Sequence, residues 1–447
     1  MAPMAIESMI VELIDVCNLN CSYCLRDEAS LHGKAHALPI PELARILADL
    51  KKTVDRCQIV FTGGEPTLHP EFRMALKTVQ DLGWTWVVVT NGWNFRRILP
   101  AVLEFRESLE AMAFSFSGLH REEHDGIRGK GSFDRRMQAV ASCRHHGLPF
   151  RFKITVDRHK GAGVREFAIF AARLGAQVLE IAPLLPANDA SRADVMSVAQ
   201  QEEFLREIGL LRETMKMPIH IASGFFDPRP EPACGPLQGN TLNLDYNGRL
   251  TLCTVLAGFR AQPNERDVIA DLRNVSLEAA LPLFAEVVRS RNRERSAEFK
   301  ALGPDTSRAP LRLGSHCFDC LCSFGKMLPG PFGFVEEKPH MDDAAAFTVP
   351  DSVITSEFDG KQALLLDTGT QRYYTLNETA TFLWAAIEKG HTVAQLTASL
   401  CASFEVDEVR ARASVVAALT RLESQSLVHR GAADPQEASL ASKEVSS

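Results

Sequence analysis

Short apolar runs and amphipathic stretches alternate through the first half of the chain. The runs are 8–15 (SMIVELID), 58–64 (QIVFTGG), 84–92 (WTWVVVTNG), 111–118 (AMAFSFSG), 150–157 (FRFKITVD) and 176–184 (AQVLEIAPL). Their length and β-branched or aromatic content predict strands. Between them, 41–53, 70–83 and 132–147 carry apolar residues at helical spacing, and the last two end at Gly, as a capped helix does. Strand followed by helix, six times over, predicts an α/β fold of right-handed parallel units. Mostly apolar strands imply a sheet covered by those helices on at least one face. Six units are too few to close an eight-stranded barrel. The expected form is an open, partial (β/α)6 barrel over 8–219, with its chemistry at the C-terminal edge of the strands.

The pattern changes near residue 220. A loop-like ASGFFDPRPEPACGP precedes TLNLDYNGRLTLC, which reads as a hairpin turning at Asn247-Gly248. A helical section over 276–299 and a Pro/Gly loop lead to SHCFDCLC, giving a small α+β domain over 220–328. The Pro-, Gly- and acid-rich stretch that follows predicts a linker over 329–347. Three short strands (SVITSEFD, ALLLDTG, RYYTLN) and three helical stretches then predict a winged-helix-like α+β domain over 348–430. The last residues, 431–447, read as a disordered tail. No internal repeat is visible.

Composition narrows the function. With 447 residues, 45% hydrophobic and 23% charged, the chain has material for two or three domains. A formal charge of −7 argues against general affinity for nucleic acid or anionic membranes. The N-terminus has acids inside its apolar run, so no signal peptide is expected, and no stretch approaches the roughly 20 apolar residues of a membrane span. Eleven cysteines in such a chain point to a reducing compartment, the cytoplasm, where clustered thiols are ligands or catalysts rather than bridges.

The densest cluster is Cys17-Asn-Leu-Asn-Cys21-Ser-Tyr-Cys24, directly after the first predicted strand. Three thiolates fall one short of a closed four-coordinate zinc site. They can hold three irons of a [4Fe–4S] cube and leave the fourth open to a ligand that is not protein. This C-x3-C-x2-C loop resembles the radical S-adenosylmethionine (SAM) superfamily, and the likeness runs over about 8–215. Tyr23 stands where the family has an aromatic residue near the SAM adenine. Gly63-Gly64-Glu65-Pro66 matches the segment that binds the methionine amino group. Asn91 and Ser115 end strands three and four, where the family contacts SAM, and Arg128 matches a position that can bind its carboxylate. Ser117 departs from the pattern, since many relatives have Asp there. The resemblance implies reductive cleavage of SAM to methionine and a 5′-deoxyadenosyl radical, with electrons from a donor such as flavodoxin or ferredoxin.

Five further cysteines, Cys234, Cys253, Cys317, Cys320 and Cys322, fill the middle region. Cys234 and the Gly248-x4-Cys253 spacing resemble the opening of a twitch or SPASM extension, which holds auxiliary iron–sulfur clusters. Five ligands are too few for two clusters. One auxiliary [4Fe–4S] cluster would use Cys234, Cys253 and two of the last three, with Cys317 and Cys320 the natural C-x2-C pair and Cys322 the alternate. A structural zinc site has the same ligand set. Thr254 stands where sulfatase-type maturases place Asp, which counts against that subtype. Cys57, Cys143 and Cys401 read as small core residues. The run RSRNRER (289–295) reads as a solvated helix face, His120, His124, His145 and His146 as surface or helix-end residues, and His316 as a bystander.

The C-terminal unit resembles the PqqD-like peptide recognition domain. That likeness implies that a leader peptide adds as a strand beside 372–376 and packs against the helix over 409–422. Together the resemblances imply a maturase that abstracts hydrogen from a ribosomally made precursor peptide and leads to a crosslink, an epimerisation or a rearrangement. Two other readings remain open on these residues: a dehydrogenase of a small molecule, and an iron–sulfur redox sensor with a DNA-binding winged helix.

Overall fold

The computed structural model describes residues 5–26, 32–186, 194–227, 229–258, 267–303, 311–326, 343–358, 362–369, 372–404, 406–424 and 427–430. The chain divides into two compact units at residue 334.

The six predicted strands form as β1 (Ser8–Ile14), β2 (Gln58–Gly63), β3 (Thr85–Thr90), β4 (Leu109–Phe116), β5 (Phe150–Val156) and β6 (Leu179–Pro183). They pair in parallel in chain order. Helices α1 (Ile40–Lys51), α2 (Phe72–Asp81), α3 (Phe95–Glu104), α4 (Arg121–Arg128), α5 (Ser132–His146) and α6 (Val164–Leu174) cross between them, and α7 (Val198–Thr214) follows β6. Gly147 and Gly175 end α5 and α6 in the left-handed region (φ 63° and 86°), where a side chain would be strained. Alternate strand residues are buried: Phe150, Phe152, Ile154 and Val156 of β5 share one core with Phe167, Ala168 and Ala171 of α6. The intervening Arg151, Lys153 and Thr155 lie on the opposite, less buried face.

The sheet is larger than the pattern predicts. Its order is β10-β9-β8-β1-β2-β3-β4-β5-β6-β7. β7 (Ile219–Ile221) extends one end, and β8 (Thr241–Leu244) runs parallel beside β1 at the other. β9 (Arg249–Thr251) and β10 (Val268–Asp271) complete it in antiparallel fashion. The predicted boundary at 219/220 is therefore no boundary in packing: 220–326 adds strands to the first sheet and residues to the same core. Its long helix α8 (Leu277–Leu302) and the short cysteine-bearing helix α9 (His316–Ser323) pack there too.

The second unit has β11 (Phe347–Thr348), β12 (Val353–Phe358), β13 (Gln362–Asp367), β14 (Arg372–Leu376), α10 (Glu378–Ile387), α11 (Val393–Ser403), α12 (Glu408–Ser424) and β15 (His429–Arg430). Strands β12-β13-β14 form an antiparallel meander, and β11 pairs with β15. Leu365, Trp384, Leu396, Val415, Leu419 and Val428 centre its own core. The predicted linker is corrected at its end. The Asp343 and Ala345 carbonyls accept from Ala394 and Val393, and Phe347 is buried, so 343–347 belong to this unit. The rest of that stretch and the predicted tail lie outside the described residues. Among the described residues no helix is long and apolar enough to cross a membrane.

Candidate active site

Cys17, Cys21 and Cys24 follow β1 at the C-terminal edge of the parallel strands, each partly exposed. The glycines of the Gly63-Gly64 pair set what meets them. A Cβ on Gly64 would stand 2.1 Å from the Val16 carbonyl oxygen, and one on Gly63 2.3 Å from that of Ile14. Only glycine lets this backbone pass so close, and the Gly64 and Glu65 amides then donate to Ile14 and Val16 (2.8 and 2.9 Å). The sequel of β2 is thereby stitched to the start of the cysteine loop.

Each sulfur is met by an N–H donor. Cys17 Sγ accepts from the Leu19 amide (3.4 Å) and Asn91 Nδ2 (3.8 Å), and Cys21 Sγ from Arg128 Nη1 (3.8 Å). The Arg26 amide donates to Cys24. Burial, followed by the nearby Glu65 carboxylate, pushes the bare Cys17 thiol up to about 12, and burial raises Cys24 as well. Thiols of this kind stay protonated until a cation takes the proton's place.

Arg128 joins the loop to β4. Its Nε donates to Ser117 Oγ (2.5 Å) and its Nη2 to the Tyr23 hydroxyl (2.6 Å), which also meets Ser117 Oγ. The serine in contact with Tyr23 and Arg128 is thus Ser117, and the predicted Ser115 lies two residues back on the same face of β4, in register with Lys153. His124, expected at the surface, is fully buried between the Ser117 amide (3.3 Å from Nδ1) and the Arg136 guanidinium. Burial first, then Arg136, drives it down to about 2, so the ring is neutral. Arg136 in turn donates to the Asn91 carbonyl (2.6 Å). The pattern gives His124 only as a surface or helix-end residue and does not mark Arg136, because partners on other elements create their role.

Glu65 is buried and accepts four hydrogen bonds. Oε1 takes the Thr67 amide and hydroxyl and the Thr90 hydroxyl (3.2, 2.7 and 2.7 Å), while Oε2 takes only the Asn91 amide (2.8 Å). Oε1 is saturated, and Oε2 can accept one more donor. Burial outweighs these bonds and raises the carboxyl above its usual range. Glu65→Ala is expected to lower stability, since two hydroxyls and two amides lose this partner, at about 1–3 kcal/mol for each group left unsatisfied. It is also expected to weaken SAM binding by about 1.5–3 kcal/mol through loss of a charged acceptor. Thermal unfolding without SAM and calorimetry with it separate the two effects. Unchanged SAM affinity would take Glu65 out of the site.

The second cysteine set gathers from three places. Cys234 precedes a short helical turn, Cys253 follows β9, and Cys317 and Cys320 lie three apart on α9. Burial holds the Cys253 thiol up to about 12 and raises Cys317 and Cys320, and charge on Cys234 and Cys253 raises both helix thiols further. Cys322 lies two residues beyond Cys320, about 200° around the helix from it. Among the described residues no three His, Cys, Asp or Glu side chains converge tightly on one metal-ion point.

The RSRNRER run also changes its reading. Arg289 and Arg293 do face solvent beside Glu286, but Arg291 and Arg295 turn inward, 4% and 0% exposed. Both reach the buried carboxylate of Asp319, between Cys317 and Cys320 (Nη–Oδ2 2.6 and 3.3 Å). Spacing of four on the helix puts these two on one face. His316 Nε2 meets the Glu231 carbonyl and Ala233 amide, both 3.1 Å away. Glu12, unremarked in the pattern, is fully buried and links the two cysteine loops, accepting from Arg26 (2.5 Å) and from Thr254 Oγ1 (2.9 Å).

In the second unit β14 is the edge of its sheet, one side paired to β13. Tyr373 on it is 65% exposed, in one row with Leu366 and the exposed Ile354. The predicted peptide-facing residues of α12 are partly claimed by the core, since Val415, Val416 and Leu419 are buried in it.

Residues 11–164 match the radical SAM superfamily, and residues 362–428 match Coenzyme PQQ synthesis protein D (PqqD). This chain carries a radical SAM domain and a PqqD domain. Among curated proteins it is similar to the PqqA peptide cyclase of Ruegeria pomeroyi, 29% identical over 56% of this chain and 68% of that one. It is also similar to the AdoMet-dependent heme synthase of Methanosarcina barkeri, 27% identical over 43% of this chain and 55% of that one. Among solved structures, Streptococcus suis SuiB bound to precursor peptide SuiA aligns with 64% of the chain and 67% of its own at 14% identity and a TM-score of 0.49. Radical SAM domains work with a [4Fe–4S] cluster and SAM, and the trio lies inside the matched segment.

Proposed function

We propose that this chain is a peptide maturase in which Cys17, Cys21 and Cys24 hold a [4Fe–4S] cluster and the PqqD unit recruits a ribosomally made precursor. One observation carries this reading: a single chain joins an N–H-lined cysteine trio at the edge of a parallel sheet to a separate unit whose strand β14 has, among the described residues, one side unpaired. The likeness to a PqqA peptide cyclase supports it, since that relative acts by its name on a peptide. The donor set fits the cluster. The sulfurs are oriented by amide and guanidinium N–H groups, which favour thiolate over thiol once iron displaces the proton. Bound there, such a cluster together with SAM would supply radical chemistry for hydrogen abstraction from the substrate.

The chain's own groups bind and orient. Oε2 of Glu65 has room for the methionine ammonium, and a carboxylate raised by burial gains strongly from a cation. Arg128 supplies positive charge beside Cys21 for the carboxylate, and Tyr23 and Ser117 fix its guanidinium plane. Asn91, Ser115 and Gly63-Gly64 border the same sheet edge. An electron donor such as flavodoxin or ferredoxin would complete the cycle.

The second set, Cys234, Cys253, Cys317 and Cys320, would hold one auxiliary [4Fe–4S] cluster that takes the surplus electron or positions the peptide. Cys253→Ala is then expected to abolish modified peptide while 5′-deoxyadenosine still forms, because the first cysteine loop keeps its own contacts. The reduced protein, SAM and the precursor encoded beside the gene are followed by chromatography for the nucleoside and mass spectrometry for the peptide. Equal loss of both products would mean that the second set is needed to fold the common core.

A further inference from the structure

The second cysteine set sits beside a buried cation pair. Arg291 and Arg295 share one carboxylate, Asp319, which is itself fully buried. The further acids beside Arg291 stand in solvent: Glu294 is 57% and Glu298 37% exposed. Two other buried ion pairs near these cysteines, Lys326 with Asp267 and Arg26 with Glu12 (both 2.5 Å), each set one cation against one carboxylate. Beyond those pairs, the described interior around these cysteines therefore holds two guanidiniums against one carboxylate.

Burying a charge without a partner is costly, and folded chains pair or neutralise such groups. Arg295 is held by neutral acceptors, the carbonyls of Leu313 and Arg229, and its Nε and that of Arg291 have no hydrogen-bond partner. His316 Nδ1, one residue before Cys317, is also unpartnered and buried. Asp319 is 0% exposed and held by both guanidiniums, so it stays inside. Four thiolates with an iron–sulfur cube carry net negative charge, which is what this arrangement lacks.

We propose that Arg291 and Arg295, positioned by Asp319, form a charge device that favours the reduced state of the auxiliary cluster. The proposal rests on the assignment of that cluster to Cys234, Cys253, Cys317 and Cys320. Adding one electron makes an anionic group more negative, and a fixed cation in a low-dielectric interior stabilises the product more than the starting state. A cluster tuned this way accepts an electron from a substrate radical more readily than one in neutral surroundings. Both arginines are buried, so they act through the cluster as positioning residues.

Charge and mere scaffolding predict different signs. The full chain with Cys17, Cys21 and Cys24 all changed to Ala leaves one cluster to titrate, followed by its electron paramagnetic resonance signal against solution potential. Arg295→Met in that background is expected to lower the reduced-to-oxidised ratio at fixed potential at least tenfold, 59 mV for a one-electron couple. Asp319→Asn is expected to raise it by a similar factor, and the double change to restore most of the original value. Shifts of the same sign, or none, in both single variants would overturn the charge assignment. Failure of the background protein to bind about four irons, or zinc in their place, would instead overturn the cluster reading itself. Where Arg295→Met takes up no iron, the sign of the Asp319→Asn shift alone decides.

Discussion

Changing Cys17, Cys21 and Cys24 together to Ala is expected to take anaerobically reconstituted protein from about eight irons and sulfides to about four, and to stop 5′-deoxyadenosine formation altogether. Among the described residues the three sulfurs are the anchors the loop offers to iron, and a cube held by three thiolates does not survive on none. The rest of the fold should stand. All three cysteines are partly exposed and lie past the end of β1, while the strand's own Met9, Val11 and Leu13 are buried in the core. Far-ultraviolet dichroism should therefore be unchanged, and the iron that remains belongs to the second set. A single Cys21→Ser variant adds detail, because Cys21 Sγ is the one that Arg128 touches. Its SAM affinity should fall with its iron, since the open coordination site goes with the cluster. Iron and sulfide assays with a chromatographic nucleoside assay read all of this. A triple variant that keeps all its iron would remove the trio from the site.

How much of this the sequence disclosed follows from the range of the interactions. The trio and Gly63-Gly64-Glu65-Pro66 are local patterns, and the glycines mark their own purpose because the crossing at Val16 admits no Cβ. The six core strands were legible because each is a short, mostly apolar run rich in β-branched and aromatic residues, and β5 and β6 also alternate buried with half-buried positions. By contrast, nothing in TLNL announces that β8 lies parallel against β1, 233 residues away between Ser8 and Thr241. Ser115 and Ser117 share a face, and only the arrival of Arg128 from α4 distinguishes them. The same holds for RSRNRER: spacing of two does spread four arginines around α8, but which side is solvent depends on where α9 packs. His124 looked like a helix-end residue for the same reason, and its burial comes from Arg136 and β4. At 343–347 composition suggested a linker, yet two main-chain bonds to α11 and the burial of Phe347 tie it down.

The edge of β14 carries the second large effect, since it decides between a peptide enzyme and the other readings. Successive residues of an antiparallel strand aim their N–H groups to opposite sides. Tyr373→Pro and Tyr374→Pro thus remove, between them, one donor from the ladder to β13 and one from the open side. The variant that loses the outward donor is expected to weaken leader binding at least about tenfold, or 1.4 kcal/mol, with the unit's melting temperature little changed. The other should destabilise the meander itself. Tyr373→Ser should cost less than the damaging proline, because main-chain pairing supplies most of the affinity in strand addition. Leu419→Asp is a control of a different kind: Leu419 is buried in the unit's core, and an unpaired carboxylate there should unfold it. Calorimetry on the full chain with the leader half of the precursor, and separately with duplex DNA, gives the result. Any shorter fragment would have to begin before Asp343, whose carbonyl holds Ala394 at the start of α11. Leader affinity indifferent to both prolines would dismiss β14 as the docking edge, and binding to DNA without binding to the leader would sink the peptide reading.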